Sequence, residues 1–264
     1  MNVLELIKKK NEGMKISMLT CYDYTSACIL SQTNIDCLLV GDSVAMTMHG
    51  FEDTTAATIA MMQIHIQAVR KGAPHKFIIG DLPFLSYRQS LSKSMRAAQI
   101  LIQAGAHALK LEGANGNLKL IRHLVTSGVP VMGHLGLTPQ FVNGLGGYKV
   151  QGKSKASAEQ LLNEALQLEA AGCCAVVLEC IPAELARTLT QQLSIPTLGI
   201  GAGPHTDGQV LVMQDLLGMN TTFKPKFVKH YFDGAKHIKA AVDNFVKEIE
   251  ASQFPEAMHC YASG

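Results

Sequence analysis

The chain has 264 residues, 47% of them hydrophobic and 17% charged, with 23 basic against 21 acidic side chains and a formal net charge of +2. That balance supplies ample material for a core and no field strong enough to draw nucleic acid or an anionic membrane, so neither is an expected partner. The length is close to the roughly 250 residues of one (β/α)8 barrel, with two smaller domains as the rival by length alone.

Residues 1–7 carry Glu5 where a signal peptide needs an unbroken apolar run, and Lys8-Lys9-Lys10 reads as the solvated face of an N-terminal helix. Short apolar runs rich in β-branched residues follow at 16–20, 37–40, 77–80, 108–111, 129–133, 175–178, 197–200 and 210–213. Helical stretches lie between them, at 59–71, 91–104, 118–127, 156–171 and 183–192. Alternation of this kind predicts parallel strands joined by crossover helices, and eight strands are what a closed barrel needs. Two joints repeat one design, a helix end, then Gly105 or Gly172, then a buried strand closing in Leu-Glu. A second design, proline before a strand, recurs at Pro130 and Pro196.

The uncharged stretch 124–148 is broken by prolines and glycines and makes a poor membrane span. Seven cysteines, an odd number with Cys173 and Cys174 adjacent and no CxxC, point to reduced, buried thiols rather than zinc or disulfides. A cytoplasmic location is expected. With no linker or low-complexity segment, the expectation is one domain over 1–264, a single (β/α)8 TIM barrel of the α/β class. An open doubly wound sheet is the structural alternative.

An ionisable residue follows five of these strands in succession: Asp42, Asp81, Glu112, His134 and Glu179. Singly, each has a plain reading as a helix cap or loop start. In a barrel, however, all C-terminal strand ends meet on one face, where active sites are built. Packed carboxylates repel and need a cation, and Asp42, Asp81 and Glu112 offer the oxygen ligands that suit a hard ion such as Mg²⁺. Lys110, two residues before Glu112, points the same way along its strand and supplies a fixed positive charge for a carboxylate or enolate. Glu179 is left free as a general base. The residue types thus reach metal-assisted enolisation of an oxo acid, and not the electrophile.

The local contexts add a resemblance. Residues 20–24 (TCYDY), 39–43 (LVGDS), 81–84 (DLPF), 110–113 (KLEG), 133–140 (GHLGLTPQ), 146–152 (GGYKVQG), 178–182 (LECIP), 199–203 (GIGAG) and 207–211 (DGQVL) occur in order. This series resembles ketopantoate hydroxymethyltransferase (3-methyl-2-oxobutanoate hydroxymethyltransferase), from about Ser17 to the region of Pro225. The resemblance implies a (β/α)8 barrel that moves the one-carbon unit of 5,10-methylenetetrahydrofolate to 3-methyl-2-oxobutanoate, giving 2-dehydropantoate for pantothenate synthesis. It implies Mg²⁺ on Asp42 and Asp81 with Glu112 completing the site, directly or through water. The resemblance further implies that Asp42, Ser43, Asp81 and Lys110 contact the oxo acid, that His134 hydrogen-bonds within the same pocket or orients its neighbours, and that Glu179 is the proton acceptor. A homo-oligomer is also implied, commonly a decamer, with the terminal helix at 236–252 at an interface or closing the barrel.

Gly199 to Gly203 reads as a backbone approach to the folate ring or as a plain tight turn, and 144–147 as a lid hinge or an ordinary loop. Tyr22 and Tyr24 are candidates to pack over the mouth, against core or surface roles. The chain departs from the family pattern at 51–58 and in its tail at 257–261. Two other readings remain: a metal-dependent lyase or mutase of the same barrel group, and a catalytically silent barrel that only binds.

Overall fold

The computed structural model describes residues 1–221 and 224–262. By internal contacts it divides into two compact units, Met1–Val212 and Met213–Gly264. The first begins with α1 (Val3–Asn11), β1 (Ile16–Thr20), α2 (Tyr24–Ser31), β2 (Cys37–Val40), α3 (Val44–Thr47), α4 (Ile59–Gly72) and β3 (Phe77–Asp81). It continues with α5 (Leu91–Ala104), β4 (Ala108–Glu112), α6 (Leu118–Thr126), β5 (Val131–Gly136), α7 (Val142–Leu145) and α8 (Lys155–Ala170). It ends with β6 (Ala175–Glu179), α9 (Ala183–Gln192), β7 (Thr197–Ile200) and β8 (Gly208–Leu211). The eight strands are parallel and close into a barrel, with β8 paired to β1.

Side chains alternate across a strand, so each strand feeds two cores. Met18, Leu39, Ile79, Ala108, Met132, Val177, Leu198 and Val210 point inward and form one cluster. Their neighbours Leu38, Ile78, Leu109, Val131 and Val176 point outward and pack under the helices with Ile66, Leu101, Leu124 and Leu168. The same parity sets what the strand ends present. Lys110 and Glu112 follow Ala108 inward, Asp81 follows Ile79, His134 follows Met132, and Glu179 follows Val177.

Several strands run further than their apolar runs predict. Asp81, Glu112 and Glu179 close their strands from within, and His134 lies inside β5 rather than after it. Register explains this: Asp81 pairs with Lys110, Glu112 with His134, and Gly136 with Glu179, so the ladder continues through the polar residues. At the other end, β5 starts at Val131 and not at 129, because the Val129 N–H is spent on the carbonyl of Leu124 and Pro130 has no N–H to give. The eighth strand begins two residues before the expected 210. A Cβ on Gly208 would stand 2.3 Å from the Ile16 carbonyl oxygen, so only glycine brings β8 against β1 at that level.

The N-terminal helix has more to do than its sequence suggests. Leu6 is fully buried in the inner cluster with Ile16, Phe77 and Ala108, the first inward residues of their strands, so α1 plugs the N-terminal end of the barrel. Of the three lysines read as a solvated face, only Lys8 is exposed. Lys9 pairs with Asp36 and Lys10 with Asp207 at 2.8 Å, because the plug places them over loops that carry those acids. The helix α2, not anticipated, starts at Asp23, whose carboxylate takes the Ser26 N–H at 2.8 Å.

The second unit contains α10 (Met213–Leu216) and α11 (Gly234–Glu250). Ile238, Val242, Phe245, Val246 and Ile249, spaced to share one face of α11, are exposed. All seven cysteines are free thiols. Among the described residues no helix is long and apolar enough to cross a membrane.

Asp36 accepts from both the N–H and the hydroxyl of Ser17 at 2.9 Å as well as from Lys9. Burial alone raises its carboxyl, but Lys9 and Ser17 outweigh that and hold it below the usual carboxylate range. A lowered folded-state value means stability that is present above the unfolded value and is lost as pH falls through the folded one. Asp36→Asn should therefore lower the melting temperature at neutral pH by about 2–4 °C, the effect of roughly 1 kcal/mol in a chain of this size. Calorimetry across pH should show the gap to the parent closing below about pH 4; a gap independent of pH would mean that the charge is not what acts.

Candidate active site

The C-terminal ends of β2 to β6 bring the anticipated residues into one connected group. The Asp42 N–H donates to Asp81 Oδ2 at 3.0 Å. Asp81 Oδ1 lies 3.1 Å from Lys110 Nζ, which is 3.4 Å from His134 Nδ1. His134 spans two acids, with Nδ1 3.3 Å from Glu112 Oε1 and Nε2 3.1 Å from Glu179 Oε2. Ser43 shares a 2.7 Å hydrogen bond with the Tyr22 hydroxyl. Asp42, Asp81, Lys110, Glu112 and His134 are buried, whereas the Glu179 side chain keeps 17% of its surface.

Burial on this scale makes every charge depend on its neighbours. Burial, with Asp81 and Glu112 close by, raises the Asp42 carboxyl well above its usual range; Lys110 and Gln140 only partly oppose this. Burial works against the Lys110 ammonium, but Asp81, Asp42 and Glu112 together outweigh it and hold the proton more tightly than in water. For His134, burial and Lys110 disfavour the charged ring, yet Glu112 and Glu179 prevail and push it up to about 9. The cluster therefore sets four carboxyl groups against one ammonium and one imidazolium.

Gln140 carries no charge and so gave no signal in the pattern of strand-end acids, yet it joins two of them. Its Nε2 donates to Asp42 Oδ2 at 2.7 Å and to the Leu82 carbonyl at 3.1 Å. Its backbone N–H donates to Glu112 Oε2 at 3.1 Å, and its Oε1 accepts from the Tyr87 hydroxyl at 2.7 Å. Asn117 is the other unanticipated support, donating to the Glu112 and Gly113 carbonyls where β4 ends.

Each buried acid is thus anchored by one oxygen. Asp42 and Glu112 are held by Gln140, and Asp81 by the Asp42 N–H. The second oxygens of Asp81 and Glu112 have charge contacts with Lys110 and His134 but no hydrogen bond of acceptable geometry. Buried carboxylate oxygens left this way, in a site with excess negative charge, fit a hard divalent cation in donor chemistry and in charge. Asp42, Asp81 and Glu112 are the residues able to hold it. Among the described residues, no three His, Cys, Asp or Glu side chains already converge as a ligand set.

The other anticipated features separate cleanly. Tyr22 is buried with its hydroxyl at Ser43, while Tyr24 is exposed on α2. The turn after β7 is closed by packing: Thr206 fills the space beside Gly199, and Ala183 the space beside Gly203. The segment after α7 carries Tyr148, whose hydroxyl reaches Met46 of α3 at 4.0 Å. Residues 51–58 contain a 3-10 turn, Thr54–Ala56, packed against a second such turn, Pro139–Phe141, so the divergent loop backs the segment that carries Gln140. Two cavities, of about 780 and 300 Å³, lie on the outer wall between α6 and α8 and at the rim beside Thr138 and Phe141. Neither is lined by the charged cluster, so charge and not volume marks the site.

Glycine is required at one position beside Glu179. Gly136 has φ +93°, and a Cβ there would stand 2.2 Å from the Glu179 carbonyl oxygen.

The chain is similar to known proteins over nearly its whole length. The family model described as ketopantoate hydroxymethyltransferase matches residues 1–257. A 3-methyl-2-oxobutanoate hydroxymethyltransferase of Francisella tularensis subsp. novicida is 58% identical over 260 residues, 98% of each chain. One from Coxiella burnetii is 57% identical over 263 residues, 99% of each. Among solved structures, 2,3-dimethylmalate lyase superposes with a TM-score of 0.60 at 17% identity, covering 96% of this chain and 88% of that one. Phosphonopyruvate hydrolase, in complex with oxalate and Mg²⁺, gives 0.63 at 10% identity, covering 98% and 93%. At such identities the structural likeness speaks to the barrel alone.

Lys110→Met would leave three buried carboxyl groups without their ammonium. Removing one partner of such a set costs about 3–5 kcal/mol, to be read as a lowered urea midpoint. Lys8→Met, at an exposed site, should move it by less than about 0.5 kcal/mol. Equal effects of the two substitutions would show that Lys110 does not neutralise the cluster.

Proposed function

This chain belongs to the ketopantoate hydroxymethyltransferase family, and we propose that it delivers a hydroxymethyl group to 3-methyl-2-oxobutanoate. In this reading 5,10-methylenetetrahydrofolate is the one-carbon donor and 2-dehydropantoate, a precursor of pantothenate and coenzyme A, is the product. One observation carries the reading. Of the four clustered carboxylates, Glu179 alone remains partly open, and it meets the buried acids only through the far nitrogen of His134.

A carboxylate so placed is suited to take a proton from carbon while the other groups hold oxygen. Lys110 and Ser43 donate to the keto and carboxylate end of the oxo acid, Asp42 and Asp81 would face it through the metal they hold, and Glu179 removes the proton from C3. The electron pair moves onto the keto oxygen, where the Lys110 ammonium offsets the developing charge without reorganisation. Asp42 and Asp81, with Glu112 completing the set, hold Mg²⁺, which when bound supplies Lewis-acid polarisation of the keto group. His134, with Nε2 3.1 Å from Glu179, contributes a charge contact to it. Water adds to the methylene carbon opened from folate as an iminium, and the carbon–nitrogen bond breaks with a proton passing to nitrogen, so that tetrahydrofolate and formaldehyde separate. The enolate carbon bonds to the formaldehyde carbon, whose oxygen takes a proton and becomes the hydroxyl.

We further infer a cytoplasmic homo-oligomer, a decamer. The exposed apolar row of α11 supports self-association, and sedimentation velocity tests it.

The reaction is tested by following loss of the C3 deuteron from labelled 3-methyl-2-oxobutanoate by NMR, with and without Mg²⁺ and the folate donor. Exchange that needs metal, with 2-dehydropantoate formed when the donor is added, is the expected result. Exchange without product would point to a different electrophile, as in the barrel lyases and mutases. Glu179→Gln should slow exchange about 10²–10⁴-fold, and an undiminished rate would remove it as the base.

A further inference from the structure

Asp42 stands beyond the end of β2, so no ladder holds it, and its distance from Glu112 on β4 is not set by neighbouring strands. One residue spans the gap. Gln140 ties Asp42 through its side-chain amide and Glu112 through its backbone N–H, and it is itself only 3% exposed.

The orientation of the amide is fixed by what surrounds it. With Nε2 toward Asp42 Oδ2 and the Leu82 carbonyl, two acceptors meet a donor group, and Oε1 meets the Tyr87 hydroxyl. Turned over, Oε1 would face two oxygens and both contacts would become repulsive. Tyr87 is buried as well, so its hydroxyl has no solvent to bond, and its other acceptor, the Glu112 carbonyl, stands further off at 3.4 Å against 2.7 Å for Oε1. Glutamate at 140 would add a fifth carboxylate to the cluster, and leucine or methionine would leave Asp42 Oδ2 without its 2.7 Å donor.

We propose that Gln140, oriented by Tyr87, is a positioning residue that sets the spacing of Asp42 and Glu112 and turns their remaining oxygens to the reacting site. Supports of this kind around carboxylate ligands typically carry 10–100-fold in metal affinity or activity. The proposal rests on reading Asp42, Asp81 and Glu112 as the oxygen ligands, and the test separates the two.

The experiment is a double-mutant cycle of Gln140→Met, which keeps length and volume, and Tyr87→Phe, which keeps the ring. It is read on Mn²⁺ binding to the substrate-free protein by electron paramagnetic resonance, and on kcat with 3-methyl-2-oxobutanoate. Gln140→Met should weaken Mn²⁺ binding and lower kcat by about 10–100-fold. Tyr87→Phe should do so by less, and adding it to Gln140→Met should change nothing further, since the amide it orients is gone. Folded single variants that bind Mn²⁺ and turn over like the parent would overturn the proposal, as would effects that multiply in the double variant. If Gln140→Met does not fold, Tyr87→Phe decides, and parental Mn²⁺ binding and kcat there overturn it. A parent that binds no Mn²⁺ would end the ligand reading, and the cycle would then be judged on kcat alone.

Discussion

Four carboxyl groups, one ammonium and one imidazolium share the buried end of this barrel, and most of the site follows from that unequal count. Asp81 and Lys110 face each other on paired strands, and His134 lies between Glu112 and Glu179. What remains is an excess of negative charge in a place with little water to screen it. It appears as the raised Asp42 carboxyl and as the tightly held protons of Lys110 and His134. A site in this state is built to gain from a cation. The cost is instability when nothing answers the charge.

The barrel makes such a cluster possible at modest expense elsewhere. Alternation along each strand gives the inward row an apolar base and a polar end, so one parity rule serves both the core and the chemistry. Met132 and His134 differ by two positions and by everything else. Strand register then sets the pairs, and the loops supply what strands cannot, as Gln140 does from the turn after β5. Charge placed by regular structure and trimmed by a neutral amide from a loop is a division of labour between rigid and adjustable parts.

The sequence was most legible where chemistry and periodicity coincide. Asp42, Asp81, Lys110, Glu112, His134 and Glu179 stand out because an ionisable group is costly at the end of an apolar run. The closed barrel was legible for a related reason, in that eight runs alternated with helices. Gln140 and Tyr87 were not, since an amide and a phenol are ordinary in a loop and acquire meaning only from partners up to 98 residues away. Strand ends were misjudged for the opposite reason. An acid looks like a terminus in sequence, whereas Asp81, Glu112 and Glu179 stay in the ladder because the cluster shelters them. The plugging role of α1 was hidden because lysines on a short helix usually face water, and Asp36 and Asp207 are distant in the chain.

That plug bears on how the chain is made. Lys10 cannot meet Asp207 until nearly the whole first unit has left the ribosome, and β1 waits equally long for β8. During that interval the unpaired side of β1 has no native cover, and the ladder has an open edge at its start. Both ends of the seam are completed by the same late segment, the stretch from Asp207 to Leu211. A message cut short before that point would yield a chain with most of its strands and no closed seam, the kind of species that chaperones hold and proteases remove.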